Sequence, residues 1–494
     1  MNARLLRTLV FSAACSFALV VLLNAAPLAG ARNVRLITKE TPLGKVPLMA
    51  ELSQMARSPD NLHVAYPVRR GGQWTVWLDG VAGDEFNAIQ SLSFSPDGKR
   101  LAYVGARGGR WEEESRRGTG EETRVTMKLR GAKYVVVVDG KPGREYDAIT
   151  TPRSVFSPDG RRVAYRAWHE GKWRVVADGK EGPAYDNITA DDPFFSPNSE
   201  RFAYVATNAG KMLVVVDGQE GKRYDEVDGN PCFSPDGRHV AYMAKRGDER
   251  MVVVDGKEEP ALNPTGEVRF SPDSQRLAYI AKRGSRQFMV VDGKKGPEYD
   301  GYGSLEFSPD SRRLAYTAHR GGKWRFVVDG KEGPEYEAVG GPSPPFSPDS
   351  RRVVYIAKRG TKSSVVLDGK EGPEVDGLND GTLLFSPDSQ RVAYVVRSGD
   401  KRRVVVDGEE GAEYDRIGDG FPVFSPHSRH VAYPAKRGSK QLVVVGGKES
   451  QEYEAVWPLV FDGPKRIRFV ATRYDESLNK ELLRVEIEIV EEQP

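Results

Sequence analysis

From about residue 50 onward, apolar and polar positions alternate with a period of two, in runs too short for helices. Val163-Ala164-Tyr165 and Trp173-Arg174-Val175-Val176 are typical: β-branched and aromatic residues bounded by Gly, Asp and Pro. Such runs predict β-strands, and no helical periodicity interrupts them. The runs recur. Ser-Pro-Asp or a near copy begins at Ser58, Ser95, Ser157, Ser196, Ser234, Ser271, Ser308, Ser347, Ser386 and Ser425, and in all ten copies a Tyr lies eight residues further on. In nine of the ten, a Gly-containing pair such as Asp178-Gly179 follows the Tyr by thirteen residues; after Tyr103 the interval to Asp139 is 36, an insertion of 23. Seven residues beyond the pair there is usually another Tyr, as at Tyr185, Tyr224 and Tyr299. A repeat of this period is the mark of a modular array.

Each unit predicts four short antiparallel strands. Strand a ends in Phe-Ser, b carries Ala-Tyr, c is Val-rich and d carries Tyr-Asp. Ser-Pro-Asp-Gly is a turn, because Pro presets φ, Asp bonds its own backbone and Gly accepts positive φ. Where Ser replaces Gly, as at Ser274 and Ser311, the expectation is a turn type that tolerates a side chain. Asp-Gly between c and d predicts a two-residue hairpin. One such sheet cannot bury both faces, so units must cover each other, as blades do when arranged radially.

The fold class is therefore all-β: a β-propeller of about eleven four-stranded blades. Asn33–Thr38 predicts a strand, and 45–52 falls where a strand d would lie. The last unit, with Ile467–Arg473 as b and Leu482–Val490 as c, has no strand d of its own. The two ends are expected to share one composite blade. Since propellers typically have about four to eight blades, two rings are favoured over one large ring, with a crossover near 257–266, where the Tyr-Asp signal is lost.

The core Phe-Ser-Pro-Asp-Gly-x-x-x-Ala-Tyr resembles the WD-repeat-like blades of bacterial TolB-type β-propellers, over roughly residues 50–475. The resemblance implies a propeller of the cell envelope. The interval before the first blade leaves no room for the α/β domain that TolB carries. TolB-type blades also resemble the propeller of prolyl-oligopeptidase-type hydrolases, but no Gly-x-Ser-x-Gly elbow and no hydrolase half follow here.

Residues 1–31 read as an export signal. Arg4 and Arg7 precede an apolar run from Leu9 to Leu23, and Ala29-Gly30-Ala31 fits a small-x-small cleavage site. An uncleaved membrane anchor is the alternative. Cys15 lies inside the apolar run, so after cleavage Cys232 is the single thiol, and stability must come from packing. The formal net charge is +3 at pH 7, two units of it from the leader arginines. That balance argues against a general nucleic-acid binder, and no second stretch is apolar enough to span a bilayer.

Candidate chemistry lies on the face carrying the b–c turns and d–a connections, where length varies between units. Three and four residues after the strand-b Tyr, eight of ten units carry Lys or Arg. Arg70, Arg107, Lys245, Arg246, Lys282, Arg283, Arg320, Lys358, Arg359, Lys436 and Arg437 would form a basic arc, joined by Trp111 in the 110–130 insertion. Such an arc attracts an acidic protein, a phosphate or a uronic-acid polymer. Single turn acids such as Asp159 and Asp236 are too sparse for a calcium loop. The six histidines, His63, His169, His239, His319, His427 and His430, read as scattered over the repeat, which predicts no catalytic residue, metal or cofactor. The reading is an exported, non-catalytic scaffold for a protein or envelope polymer. The alternative is a propeller enzyme acting on acidic polysaccharide through a channel site.

Overall fold

Period-two alternation buries one set of side chains on each face of a strand, so every sheet here needs a neighbour on both sides. The computed structural model describes residues 34–117, 124–151, 155–189, 193–259, 262–342, 345–378, 380–418, 422–475, 477 and 479–491, with backbone alone for 113–117, 124–128 and 380. The 1–31 leader lies outside the described residues. The chain forms eleven antiparallel blades, each with the strand order a-b-c-d. In blade one these are Ala56–Arg57, Val64–Arg70, Gln73–Leu78 and Val81–Phe86. The a strands of adjacent blades touch, as Glu226–Phe233 does Pro264–Phe270, and so line the axis, while d strands such as Val81–Phe86 are exposed along most of their length.

The core is a chain of inter-blade layers. Val205 and Val214 of blade four pack with Val227, Tyr242 and Val253 of blade five. Ala241, Met243 and Val252 of blade five pack with Val268, Tyr279 and Phe288 of blade six. That second layer runs straight through the stretch expected to cross between two rings. The sequence continues to Val470 and Leu482 of blade eleven, which pack on Val64, Tyr66 and Val68 of blade one. The blades form one closed ring, not two. Tyr-Asp can be lost at residues 260–264 without a break because strands b and c still supply the apolar contact.

Blade eleven joins the chain ends, as the sequence implies. Val34–Lys45 pairs antiparallel with Lys480–Glu491, from Val34 opposite Glu491 to Lys45 opposite Glu481. Strand d of this blade is thus Val34–Lys45. Of the stretch 45–52 only Lys45 belongs to a strand: Pro47 has no amide for a ladder, and a short 3-10 turn follows at Leu52–Gln54.

Two turns give the unit its geometry. The c–d turn has positive φ at both central residues (Asp178 at 51°, Gly179 at 77°), as a two-residue hairpin requires. In the a–b turn, Ser199, Ser274, Ser311, Ser350, Ser389 and Ser428 adopt the same left-handed φ, 61–67°, as Gly would. The turn type does not change when Ser replaces Gly. The cost is offset across the blade interface: Ser274 Oγ accepts the Asp236 amide at 3.0 Å, and Ser311 Oγ that of Asp273 at 2.8 Å.

In several blades the passage to the next takes a single residue. Tyr185 exchanges both backbone hydrogen bonds with Trp173 of its own blade, and the next amide, Asp186, donates to Thr207 of the following blade at 3.0 Å. In these blades the d–a connection is therefore not a loop. Length variation is absorbed inside strand a instead, as register shifts between Asp228 and Cys232, Thr265 and Val268, and Tyr302 and Leu305. Variation falls on the channel wall rather than the rim. Cys232 is half-buried in one of these bulges, and burial pushes its thiol pKa up. The insertion is a two-stranded hairpin, Arg110–Arg117 with Arg124–Arg130, on the b–c face.

Candidate functional site

Side chains three and four residues after the strand-b Tyr point to opposite faces of the strand. This divides the predicted arc into two populations. At the fourth position the arginine turns towards the preceding blade. Arg246 stacks on Tyr224 at 5.1 Å, Arg320 on Tyr299 at 4.4 Å, Arg359 on Tyr336 at 4.5 Å, Arg437 on Tyr414 at 5.4 Å and Arg107 on Phe86 at 5.2 Å. Several are also ion-paired. Arg246 grips Glu258 with both terminal nitrogens, at 2.8 and 3.2 Å, and the Tyr224 hydroxyl donates to the same carboxylate at 3.1 Å. Arg437 grips Glu449 in the same way, and Arg359 holds Glu371 with one terminal nitrogen while the other reaches the Glu335 carbonyl, with Tyr414 and Tyr336 donating to the carboxylates. Chiefly through Arg246, Glu258 is held at about 2, well below its ordinary value, and burial pushes the Tyr224 phenol up. Where the preceding Tyr is missing, Arg283 falls back on Phe288 and Glu298 of its own blade; Arg70 likewise lies over Trp77. Arg107, Arg246, Arg320, Arg359 and Arg437 are inter-blade clamps, with charge and ring contacts engaged within the chain, whereas Arg283 and Arg70 are engaged within their own blades.

A second clamp operates at the opposite face. Arg162 Nε donates to Asp178 at 2.9 Å while its terminal nitrogen reaches the Glu200 carbonyl of the next blade at 2.6 Å. Arg100, Arg201, Arg276, Arg313, Arg352 and Arg391 repeat the contact with their own turn aspartates. His63, His239 and His430 stand at this same repeat position, five residues after the turn Ser. They are not scattered. His63 and His239 bind Asp79 and Asp255 at 2.6 and 2.7 Å. Among the described residues no group of three or more His, Cys, Asp or Glu gathers as a metal site would require. Asp159 and Asp236 are engaged in their own turns by Ser157 and Ser234.

At the third position the cation faces the following blade, near the channel mouth: Lys245, Lys282, Lys358, Arg397 and Lys436. Their surroundings differ. In blade five Lys245 lies opposite Arg250 across the strands, and Arg250 is neutralised by Asp228 and Glu226 of strand a. In blade nine Arg397 lies opposite Arg402, two like charges in direct register, which destabilises a hairpin. The strand-a residue facing Arg397 is Gly377, where blade five has Glu226 facing Lys245. In blade ten Arg416 faces Lys436. Neither Lys358, Arg397 nor Arg402 forms an ion pair with another described residue. These cations surround a cavity of about 1050 Å³ spanning blades eight to ten, with Asp376 its one acid among the described lining residues. Asp376 is already paired with Lys362 at 2.5 Å. Asp300 and Glu337 neutralise Arg286 and Lys323 of the c strands, not the b-strand cations.

The structure thus gathers Lys358 with Arg397, Arg402 and Arg416. Lys245 and Lys282 stand on other blades, and Trp111 sits on the hairpin of blade two, half exposed. Arg402 was not among the predicted residues. Its signal was available: a two-residue turn between Arg397 and Arg402 places them opposite one another.

No protein-family model matches the chain, and no curated protein matches it in sequence. Solved structures do align with it. A eukaryotic initiation factor is 13% identical, with a TM-score of 0.38 over 65% of this chain and 93% of that one. TolB from Acinetobacter baumannii is 13% identical, with a TM-score of 0.24 over 62% and 78%. The β-propeller domain of the Trilobed protease from Pyrococcus furiosus is 15% identical, with a TM-score of 0.26 over 60% and 92%. In fold, the chain is a β-propeller. No helix among the described residues is long and apolar enough to cross a membrane.

Proposed function

We propose that this protein is an exported, non-catalytic binding scaffold of the cell envelope, which holds an acidic protein or polymer at the channel mouth of its b–c face. The observation that carries the reading is the opposed pair Arg397 and Arg402. Where blade five supplies Glu226 and Asp228 for Arg250, blade nine has Gly377 opposite Arg397 and no described side chain ion-paired with either arginine; Asp376 relieves the charge of Arg397 in part, and an outside anion would relieve the rest. The leader pattern of residues 1–31 supports export. The clamp arginines are excluded from the surface, because the ring itself uses them.

The test is binding of the mature chain to immobilised poly-glutamate and to polygalacturonate at increasing salt. Retention on at least one, lost on adding salt, supports the reading; no retention on either at low salt removes it. Cell fractionation with an epitope-tagged chain tests location, and a cytoplasmic signal would refute export.

A further inference from the structure

The cleft of blades eight to ten supports a narrower assignment, which rests on the acidic-partner reading above. We propose that it takes an extended peptide segment of a partner protein, with aliphatic side chains interleaved between its carboxylates. Charge sets the first half of that description. Arg397 and Arg402 oppose one another on blade nine, and Lys358 faces them from blade eight. An approaching carboxylate would gain two or more charge-assisted hydrogen bonds there.

The floor sets the second half. Val339, Ile356, Leu378, Val395 and Ile417 line the cavity, with Val339 and Leu378 partly exposed and the other three nearly buried, and among its described lining residues there is no aromatic ring. Sugar rings are held by laying their C–H faces on aromatic planes, which this floor does not offer. Aliphatic side chains bury well against it, each methylene contributing about 0.8 kcal/mol. The size fits a chain rather than a small ion: 1050 Å³ lies at the upper end of ligand cavities. A second cavity of about 310 Å³ continues between blades ten and eleven, sharing Arg416 and Gly418 with the first. Extended backbone also has a place to pair. Ala338–Gly340 and Gly377–Leu378 are the first strands of their sheets and, among the described residues, pair with a strand on one side, so an added strand would use the other edge.

Fluorescence anisotropy of the mature chain with three labelled probes tests this: an octapeptide alternating Glu and Leu, one alternating Glu and Gly, and an octagalacturonate. The expected result is that the Glu/Leu peptide binds at least about tenfold tighter than the other two. Arg402→Gln and Lys358→Gln should each weaken it about tenfold. Arg402→Gln should leave the melting temperature unchanged or raised, because it removes a like-charge pair. A folding defect in one variant leaves the other as the test. Equal binding of the Glu/Gly peptide, or tighter binding of the uronate, would overturn the peptide assignment and leave the acidic-partner reading standing. So would Glu/Leu binding that neither substitution weakens, since the site would then lie elsewhere. Failure of all three probes at low salt would remove both.

Discussion

Glu258→Gln is the most informative single change, because it separates charge from packing in the clamp that joins blades four and five. The carboxylate receives Arg246 at 2.8 and 3.2 Å, Tyr224 at 3.1 Å and Lys222 at 3.3 Å. Its pKa is held at about 2 against an ordinary 4.5. Unscreened, that difference would correspond to about 3 kcal/mol. Glu258 is a quarter exposed and Arg246 half exposed, so water screens the pair, and a net contribution of ~1 kcal/mol is the better expectation. The sign follows from a carboxyl whose folded pKa is depressed. Its stabilisation is complete above pH 4.5 and is lost as pH falls from 4.5 towards 2. Urea unfolding of the two proteins, followed by tryptophan fluorescence at pH 7, 4.5 and 3.2, measures it. The variant should unfold at lower urea at pH 7 with an unchanged slope, and the gap should be roughly halved at pH 3.2. A gap that stays constant down to pH 3.2 would refute the electrostatic account, and no gap at pH 7 would refute the clamp.

Three further outcomes are expected. Gly105→Ala brings a Cβ to within 2.4 Å of the Phe86 ring and should cost about 1–3 kcal/mol by overpacking, read as a lowered urea midpoint. Deleting residues 34–45 strips strand d from blade eleven and exposes the edge of Lys480–Glu491. It should abolish the cooperative transition and drive self-association, measured by light scattering; a monomeric variant with an unchanged melt would contradict the closed ring. Burial holds the His430 pKa below its ordinary 6.5, so the site loses stability as pH falls below 6.5. His430→Gln should flatten the melting temperature between pH 7 and pH 5 relative to the parent, as read by calorimetry.

Much of the fold was legible because the unit is short and its signals are local. Turn residues fixed the hairpins, and the spacing from Ser to Tyr to Asp-Gly fixed the strand order. The unpaired last unit also foretold the composite blade. Ring number was not legible. Val205 packs on Tyr242, and Met243 on Tyr279, through the same repeat positions, so no local signal marks where a circle closes. The serine turns misled because the compensation for Ser274 comes from Asp236, 38 residues earlier. The basic arc misled for a related reason. Arg246 and Lys245 look alike in sequence but face different neighbours, one a tyrosine and a glutamate, the other the channel mouth. What sets blade nine apart from blade five, the other blade with like charges opposed across strands b and c at the third position, is Gly377 where Glu226 stands, a contrast that becomes visible only once the strands are set side by side.

Val34 and Glu491 lie opposite one another at the edge of the disc that carries the a–b and c–d turns. The cationic cleft opens at the other side. Val34 and Glu491 thus stand on the side of the ring away from the cleft, so the strand pair that closes the ring and a partner held in the cleft do not compete for space.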